Sequence, residues 1–268
     1  MFMTEAQQID YEAQGYIVVE GGFAPDEFRR VQAAFDGAEA SGGLEDLPNR
    51  DDLFIRLAED PAFFPAVHRI VGDDVQLRSL RGVRLTPDSA GRGWRREVAG
   101  LLGVHHPAST LSVQVFLWLD DAPEGGARIA VVPGSHRFKS DLPFPDITYI
   151  EEMPHHVALR ARAGTAVLLN GNLWQARTRN RSGAPQRLLE YTYVHCWMRQ
   201  ALPDLSPHAT EVASSSHNLA QLFGIRTDRA DARWYWGRRV EGYPPSAGLP
   251  ERRFSELKVV GRGVKANE

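Results

Sequence analysis

Arg95 and Glu97 stand two positions apart in the run Trp94-Arg95-Arg96-Glu97. On a strand that spacing sends both side chains to the same face. A guanidinium and a carboxylate sharing one cavity can position a substrate, polarise it or move a proton. The competing structural reading is an ion pair that plugs an interior space. Histidines are the other source of acid–base or metal chemistry. His105 and His106 are adjacent, so they could join one ion only from a loop, which Gly103 and Pro107 permit. Neither has a carboxylate two residues on. His136 ends the turn Pro133-Gly-Ser-His136, and His155-His156 follow Pro154 in what reads as an exposed loop. His195 lies beside Cys196 in a strand-like run, where the lone cysteine reads as a small buried hydrophobe. Glu190 and Gln114 fall in β-prone stretches, and a polar residue inside a β-rich core needs a partner. The chain carries no Ser-His-Asp elbow, Walker loop or dinucleotide glycine fingerprint.

The elements that must position these residues divide the chain in two. Residues 4–13 and 25–39 have helical character, the second opened by Pro25, Asp26 and Glu27. A β-branched run at 15–19 lies between them. Residues 41–60 are rich in Gly and Asp and then helical, and Asp60-Pro61 is expected to open a further helix through Ile70. From Val75 the character turns to short strands with Gly and Pro between them: 75–86, 109–119, 128–132, 157–160, 164–170, 173–177 and 187–198. That pattern predicts a sandwich or barrel with helices packed on one outer face. A single domain over 1–268 is expected, helical to about 73 and β to about 200. The aromatic-rich remainder, with Trp234-Tyr-Trp236, is expected to form a lid or arm.

The chain has 268 residues, 43% hydrophobic and 24% charged, which is the composition of a globular protein. A net charge of −3 gives no reason to expect nucleic acid or an anionic membrane as partner. One cysteine allows no internal disulfide. With no basic segment before an apolar run at the start, and no long apolar window, a cytoplasmic, soluble protein is expected.

Four segments carry a resemblance. They are Gly15-Tyr-Ile-Val-Val19 with Phe23-Ala-Pro-Asp-Glu-Phe28; Ile70-Val-Gly-Asp-Asp-Val-Gln76 leading to Arg92-Gly-Trp94; Val113 to Asp120 with Glu124-Gly-Gly126 and Val131-Val-Pro-Gly-Ser-His136; and Ala163 to Leu169 with Trp174 and Asn180-Arg-Ser182. In this order they resemble the phytanoyl-CoA dioxygenase family across about residues 4 to 200. The resemblance implies a mainly β double-stranded β-helix, a cupin-like jelly roll with flanking N-terminal helices. It also implies a mouth holding iron(II) on a His-x-Asp pair and a later histidine, with an arginine for 2-oxoglutarate.

In that alignment Arg95 takes the first histidine position, Glu97 the aspartate, Gln175 the second histidine and Gln186 the arginine, while Arg187 one residue on faces the other way. Arginine carries no acceptor and stays protonated, so it cannot ligate a metal. Iron, 2-oxoglutarate and any other metal are therefore expected to be absent. The leading expectation is a redox-neutral enzyme of cyclase, isomerase or lyase type acting on a small metabolite. Arg95 would stabilise negative charge, Glu97 transfer protons and Gln175 hold the substrate. His105 is added as a catalytic candidate because its segment flanks the family's active site. The expected substrate contacts are Arg84, Trp94, Gln114, Trp118, Asn172, Trp174, Gln186, Glu190 and Tyr193. The alternatives are a hydroxylase with altered ligands and a pocket that binds without turnover.

Overall fold

Two glycines and a capping box fix how the chain enters the fold. In a computed structural model, described for residues 3–20, 22–87, 89–97, 110–138 and 142–225, helix α1 (Glu5–Gln14) starts at Thr4, whose side chain accepts the Gln7 N–H while Gln7 answers the Thr4 N–H. It stops at Gly15, left-handed at φ 83°, and turns directly into β1 (Tyr16–Val19). Helix α2 (Pro25–Ala40) has Pro25 and two acids in its first turn and buries Val31, Phe35 and Ala38. Helices α3 (Asp52–Arg56) and α4 (Phe64–Val71) follow. Residues 61–63 form a turn and not the first turn of a helix: the Asp60 carboxylate accepts the Ala62 N–H at 2.8 Å, and the helix begins only beside Pro65.

The strands are β2 (Val75–Leu85), β3 (Arg92–Arg95), β4 (Ser112–Trp118), β5 (Ile129–Val131), β6 (Val157–Leu159), β7 (Ala166–Asn170), β8 (Gln175–Arg177) and β9 (Gln186–His195). They form two antiparallel sheets, ordered β1-β7-β4-β9-β2 and β3-β8-β5-β6. The architecture is the mainly β jelly roll with flanking helices. One core lies between the larger sheet and the helices, where Val113, Val115, Leu117, Leu189, Tyr191 and Tyr193 meet Phe35, Phe54, Phe63 and Phe64. A second lies between the sheets, from Leu85, Phe116, Trp118, Ile129, Val131, Val167, Leu169 and Leu188. Alternate residues of β4 and β9 thus serve two cores.

Strand β2 carries a bulge between Leu77 and Ser79, with Arg78 as the extra residue against β9. Before it, Val75 and Leu77 face the helices; after it, Leu80 and Gly82 do, and Gly82 lies under Phe35 and Leu44. The change of parity explains why hydrophobic alternation along this strand is imperfect. After residue 200, helices α5 (Pro207–Ala213) and α6 (His217–Leu222) add Ala209, Val212, Leu219 and Leu222 to the helix-side core. Residues 201–225 thus pack against the helical layer as an arm; Trp234 and Trp236 lie outside the described residues. Among the described residues no helix is long and apolar enough to cross a membrane.

Two consequences are measurable. A Cβ at Gly15 would meet the His136 Nδ1 at 2.5 Å in a left-handed backbone, whereas one at the exposed Gly37 of α2 meets nothing within 4 Å. In urea unfolding, Gly15→Ala should destabilise by about 1–3 kcal/mol and Gly37→Ala stabilise by about 0.5–1 kcal/mol. Burial pushes the Asp60 carboxyl up from 3.8 to about 6, against the Ala62 N–H, which pulls it down, and with Glu27 pushing it further up. A raised carboxyl costs stability while ionised, and the cost fades as pH falls through 6 and the folded chain takes the proton first. The stability difference between Asp60→Asn and wild type should therefore grow in the variant's favour from about pH 4 to 6 and stay level above.

Candidate functional site

The inner faces of β2, β3, β4, β8 and β9 bring an unusual set of polar groups together beside the inter-sheet core. Glu190 on β9 is 4% exposed and pairs in register with Arg81 of β2 and Phe116 of β4. Arg81 donates to its Oε2, through Nε at 2.6 Å and also through Nη2. Arg177 of the opposite sheet reaches the other oxygen, with Nη1 3.4 Å from Oε1. One carboxylate thus joins the two sheets through two guanidinium groups. Burial pulls the Arg81 guanidinium down, but the Glu190 charge and hydrogen bond outweigh it and raise its pKa. Arg177 is held below its ordinary value, because burial, joined by the charges of Arg92 and Arg81, outweighs Glu190.

Arg95 ends β3 opposite Gln175 of β8. Its Nε lies 3.8 Å from Glu97 Oε2, an ion pair too long for a hydrogen bond, and that nitrogen is buried without a hydrogen-bond partner among the described residues. Burial first, and the Arg92 and Arg177 charges with it, lower the Arg95 pKa to about 10 against the pull of Glu97 and Glu190. Glu97 is held by its backbone N–H, which donates to the Gly171 carbonyl at 2.9 Å. Gln175, 1% exposed, donates from Nε2 to the Gln114 Oε1, and Gln114 is 2% exposed. The Arg95, Arg177 and Glu97 side chains keep 20%, 17% and 28% exposure, so the cluster opens to solvent.

The structure therefore gathers Arg95, Glu97, Gln175, Gln114 and Glu190, and adds Arg81 and Arg177. Sequence reasoning missed Arg81 because the bulge at Arg78 exchanges the faces of everything after it. Arg84, expected at the substrate, instead faces α2 and donates to Glu39 at 2.7 Å. Tyr193 also points to the helices, its hydroxyl donating to the Ala58 carbonyl at 2.8 Å. Trp94 and Trp174 are displaced by the same alternation, one residue away from Arg95 and Gln175 and hence on the outer face of the smaller sheet. Trp94 donates to the Ile150 carbonyl and meets His156 edge-on. Trp174 packs against Phe138 and Phe144, with the Arg96 guanidinium 5.2 Å from its ring centroid.

Trp118 points inward but is 1% exposed, and its ring belongs to the inter-sheet core. Gln186 is fully buried; its Oε1 accepts the Ala127 N–H at 2.7 Å, which braces the Gly125-Gly126 turn and leaves it no exposed edge for a ligand. Asn172 is half-buried, its N–H donating to Asn170 Oδ1. Arg187 turns outward, clasping Asp120 and Asp36. His105 lies outside the described residues. His136 packs on Gly15 with Nε2 3.2 Å from the Glu12 carbonyl, and His195 Nε2 is 3.3 Å from the Thr110 carbonyl. Burial, joined by Asp74, pushes the Cys196 thiol up to about 11, which disfavours the nucleophilic thiolate.

A jelly roll with charged groups in the mouth between its sheets is the setting of the double-stranded β-helix proteins. The chain belongs to the phytanoyl-CoA dioxygenase family, whose model, described as Phytanoyl-CoA dioxygenase (PhyH), matches residues 39–188. Uncharacterized proteins of Mycobacterium bovis and Mycobacterium tuberculosis are 23% identical over 168 residues, covering 60% of this chain and 58% of theirs, so the match spans less than two thirds of their length. HygX from Streptomyces hygroscopicus, with nickel and 2-oxoglutarate bound, superposes with a TM-score of 0.65 at 20% identity over 75% of this chain and 90% of its own. SnoN, a non-heme alpha ketoglutarate dependent epimerase from nogalamycin biosynthesis, gives 0.58 at 18% identity over 76% and 95%. SnoK, a carbocyclase of the same dependence and biosynthesis, gives 0.57 at 17% over 72% and 84%.

The expectation that iron and 2-oxoglutarate are absent is corrected by these relatives. HygX is described with nickel and 2-oxoglutarate and also with iron, and the family is one of cofactor-binding proteins. At the positions that the family resemblance assigns to the metal, this chain presents Arg95, Glu97 and Gln175, and that donor set does not fit the ion: the guanidinium has no lone pair to give. Among the described residues no three His, Cys, Asp or Glu side chains group as ligands.

Glu190→Gln should leave Arg81 and Arg177 without their counter-charge and cost about 3–5 kcal/mol in denaturant unfolding, as for a broken buried pair. Arg84→Gln, on the outer face, should cost no more than about 1 kcal/mol.

Proposed function

We propose that this protein is an enzyme of specialised metabolism that rearranges a small, largely apolar or polycyclic metabolite without net oxidation. The reaction class is cyclisation, isomerisation, elimination or hydration. The observation that carries the reading is the Arg95–Glu97 pair at 3.8 Å, with Gln175 directly across the strand from Arg95. Arg95 is a fixed cation whose Nε makes no hydrogen bond to the described residues, so it can receive negative charge as it develops on a substrate oxygen.

For an isomerisation the proton balance is simple. The Glu97 carboxylate takes a proton from the carbon between a carbonyl and a carbon–carbon double bond. Arg95 holds the resulting dienolate oxygen, and Glu97 returns the proton at the far end of the conjugated system, so the double bond moves into conjugation. No electrons leave the substrate. Gln175, buried and tethered by Gln114, backs the site directly across the strand pair from Arg95 and holds its wall in place for the carbon frame. HygX is described with iron, and with nickel and 2-oxoglutarate, in this fold; the names of an epimerase and a carbocyclase among the similar structures, both alpha ketoglutarate dependent, support a reaction that changes configuration or closes a ring. HygX with hygromycin B bound supports a small-molecule substrate.

The test is turnover of a library of polycyclic and glycosylated natural products, followed by mass spectrometry with iron(II) and 2-oxoglutarate present. The expected product has the mass of its precursor or differs by one water. Arg95→Gln should lower the rate by about 10²–10³ and Glu97→Gln by about 10²–10⁴. A product that gains oxygen while 2-oxoglutarate is consumed would overturn the reading. So would a compound that binds wild type and both variants alike and is never converted.

A further inference from the structure

Donors in the mouth go unanswered among the described residues. Arg81, Arg95 and Arg177 face Glu190 and Glu97, and the exposed Glu45 adds a further negative charge that acts on Arg81. Arg92, exposed at the rim, adds repulsion to both Arg95 and Arg177. The adjoining sequence 98–109 contains no Asp or Glu. Glu190 spends both oxygens, one on Arg81 and one on Arg177. Glu97 stays beyond hydrogen-bond distance of Arg95. What remains is a pair of guanidinium Nε atoms, on Arg95 and Arg177, each buried and without a hydrogen-bond partner among the described residues. Buried donors on a charged group left in that state are costly.

The two arginines are also diagonal neighbours, Arg177 itself standing opposite Arg92. Arg95 pairs with Gln175, and Arg177 lies two residues further along the same face of β8. Their edges line one stretch of the mouth on the smaller sheet, across from Glu190 on the larger. A planar carboxylate matches a guanidinium edge with two parallel hydrogen bonds and brings a negative charge to it. A neutral oxygen would meet the donors without that charge.

We infer that the substrate carries a carboxylate, seated on the free edges of Arg95 and Arg177. This rests on the reading of the mouth as the reaction site and narrows the metabolite to an acid. The acid group enters as the partner that the described residues do not supply to the two Nε atoms. Both arginines then have a ground-state duty, and the carbon skeleton is held with its acid end toward the smaller sheet.

The experiment is calorimetric titration of the whole chain with benzoate as probe and benzamide as its neutral match. Benzoate should bind and benzamide should not. Arg95→Gln and Arg177→Gln should each weaken benzoate at least about tenfold, the loss of one charge-assisted contact. Arg84→Gln, whose guanidinium pairs with Glu39 on the other face, should leave it unchanged. Arg177→Gln also removes a partner of Glu190, so Arg95→Gln and the charge-keeping Arg95→Lys decide, the lysine retaining part of the affinity. Equal binding of benzamide, or of benzoate to Arg95→Gln, overturns the inference. Binding of 2-oxoglutarate alone with the same arginine dependence assigns the edges to a cosubstrate and overturns it too. Because the titration reads no turnover, a chain that binds benzoate without converting any metabolite fails only the reaction proposed above. Conversion of a neutral compound fails only this inference.

Discussion

Glu190 is almost fully buried, and the two cations that meet its carboxylate belong to different sheets. Arg81 reaches it along the larger sheet and Arg177 crosses from the smaller one. Burying an ion is expensive, and the arrangement is tolerable because both oxygens are answered. The geometry of the mouth follows from that demand. The distance between sheets at this level is set by a guanidinium–carboxylate–guanidinium bridge, while deeper in, Phe116, Trp118 and Leu188 set it by contact. Arg95 and Gln175 inherit their positions from the strand pair that Arg177 terminates.

Strand alternation distributes the remaining work. Residues one step away from the polar mouth serve the outside of each sheet: Tyr191 and Tyr193 against the helices, Trp94 and Trp174 against the segment that contains Phe144 and Ile147. These aromatic surfaces hold the strands in register from behind, and Arg96 over the Trp174 ring adds a cation–π contact to the same belt. The polar side of a strand such as β8 is therefore kept in place by groups that never see a ligand. Asn180 does comparable work at the entry to β9, its side chain donating to the Leu85 and Ala184 carbonyls and accepting from Ser182.

Much of this could be seen in the amino acids. The helix starts at Thr4 and Pro25 and the β-rich stretch from Val75 follow from local chemistry, while Arg95 and Glu97 meet although the strand ends at Arg95 and Glu97 lies in the bend beyond it. Other features needed the third dimension. The faces of β2 hinge on one extra residue, which nothing in the letters around Arg78 announces. Gln186 was assigned a ligand role from its place in a family pattern, yet its amide is spent on the Ala127 backbone. Helices α5 and α6 are short and start at Ser206 and Ser216, whose hydroxyls cap them; their apolar faces become meaningful only against α3 and β2. The expectation about iron and 2-oxoglutarate failed for a different reason. Four side chains of this chain differ from the family pattern, whereas HygX, on the same fold, is described with iron and with nickel and 2-oxoglutarate.

The bulge at Arg78 carries a further consequence. Because the register against β9 beyond the bulge decides that Arg81 and not Arg84 looks inward, the electrostatic character of the mouth is encoded as a count and not only as a composition. Losing Arg78 itself would only remove the bulge and leave both arginines on their present faces, whereas losing a residue between Ser79 and Arg81 would swap them, breaking the bridge to Glu190 and the tie to Glu39 in one event. A length change in this strand is thus a far larger step in function than a substitution at any single position along it. Descendants of this chain are free to vary side chains in β2 long before they are free to vary its length.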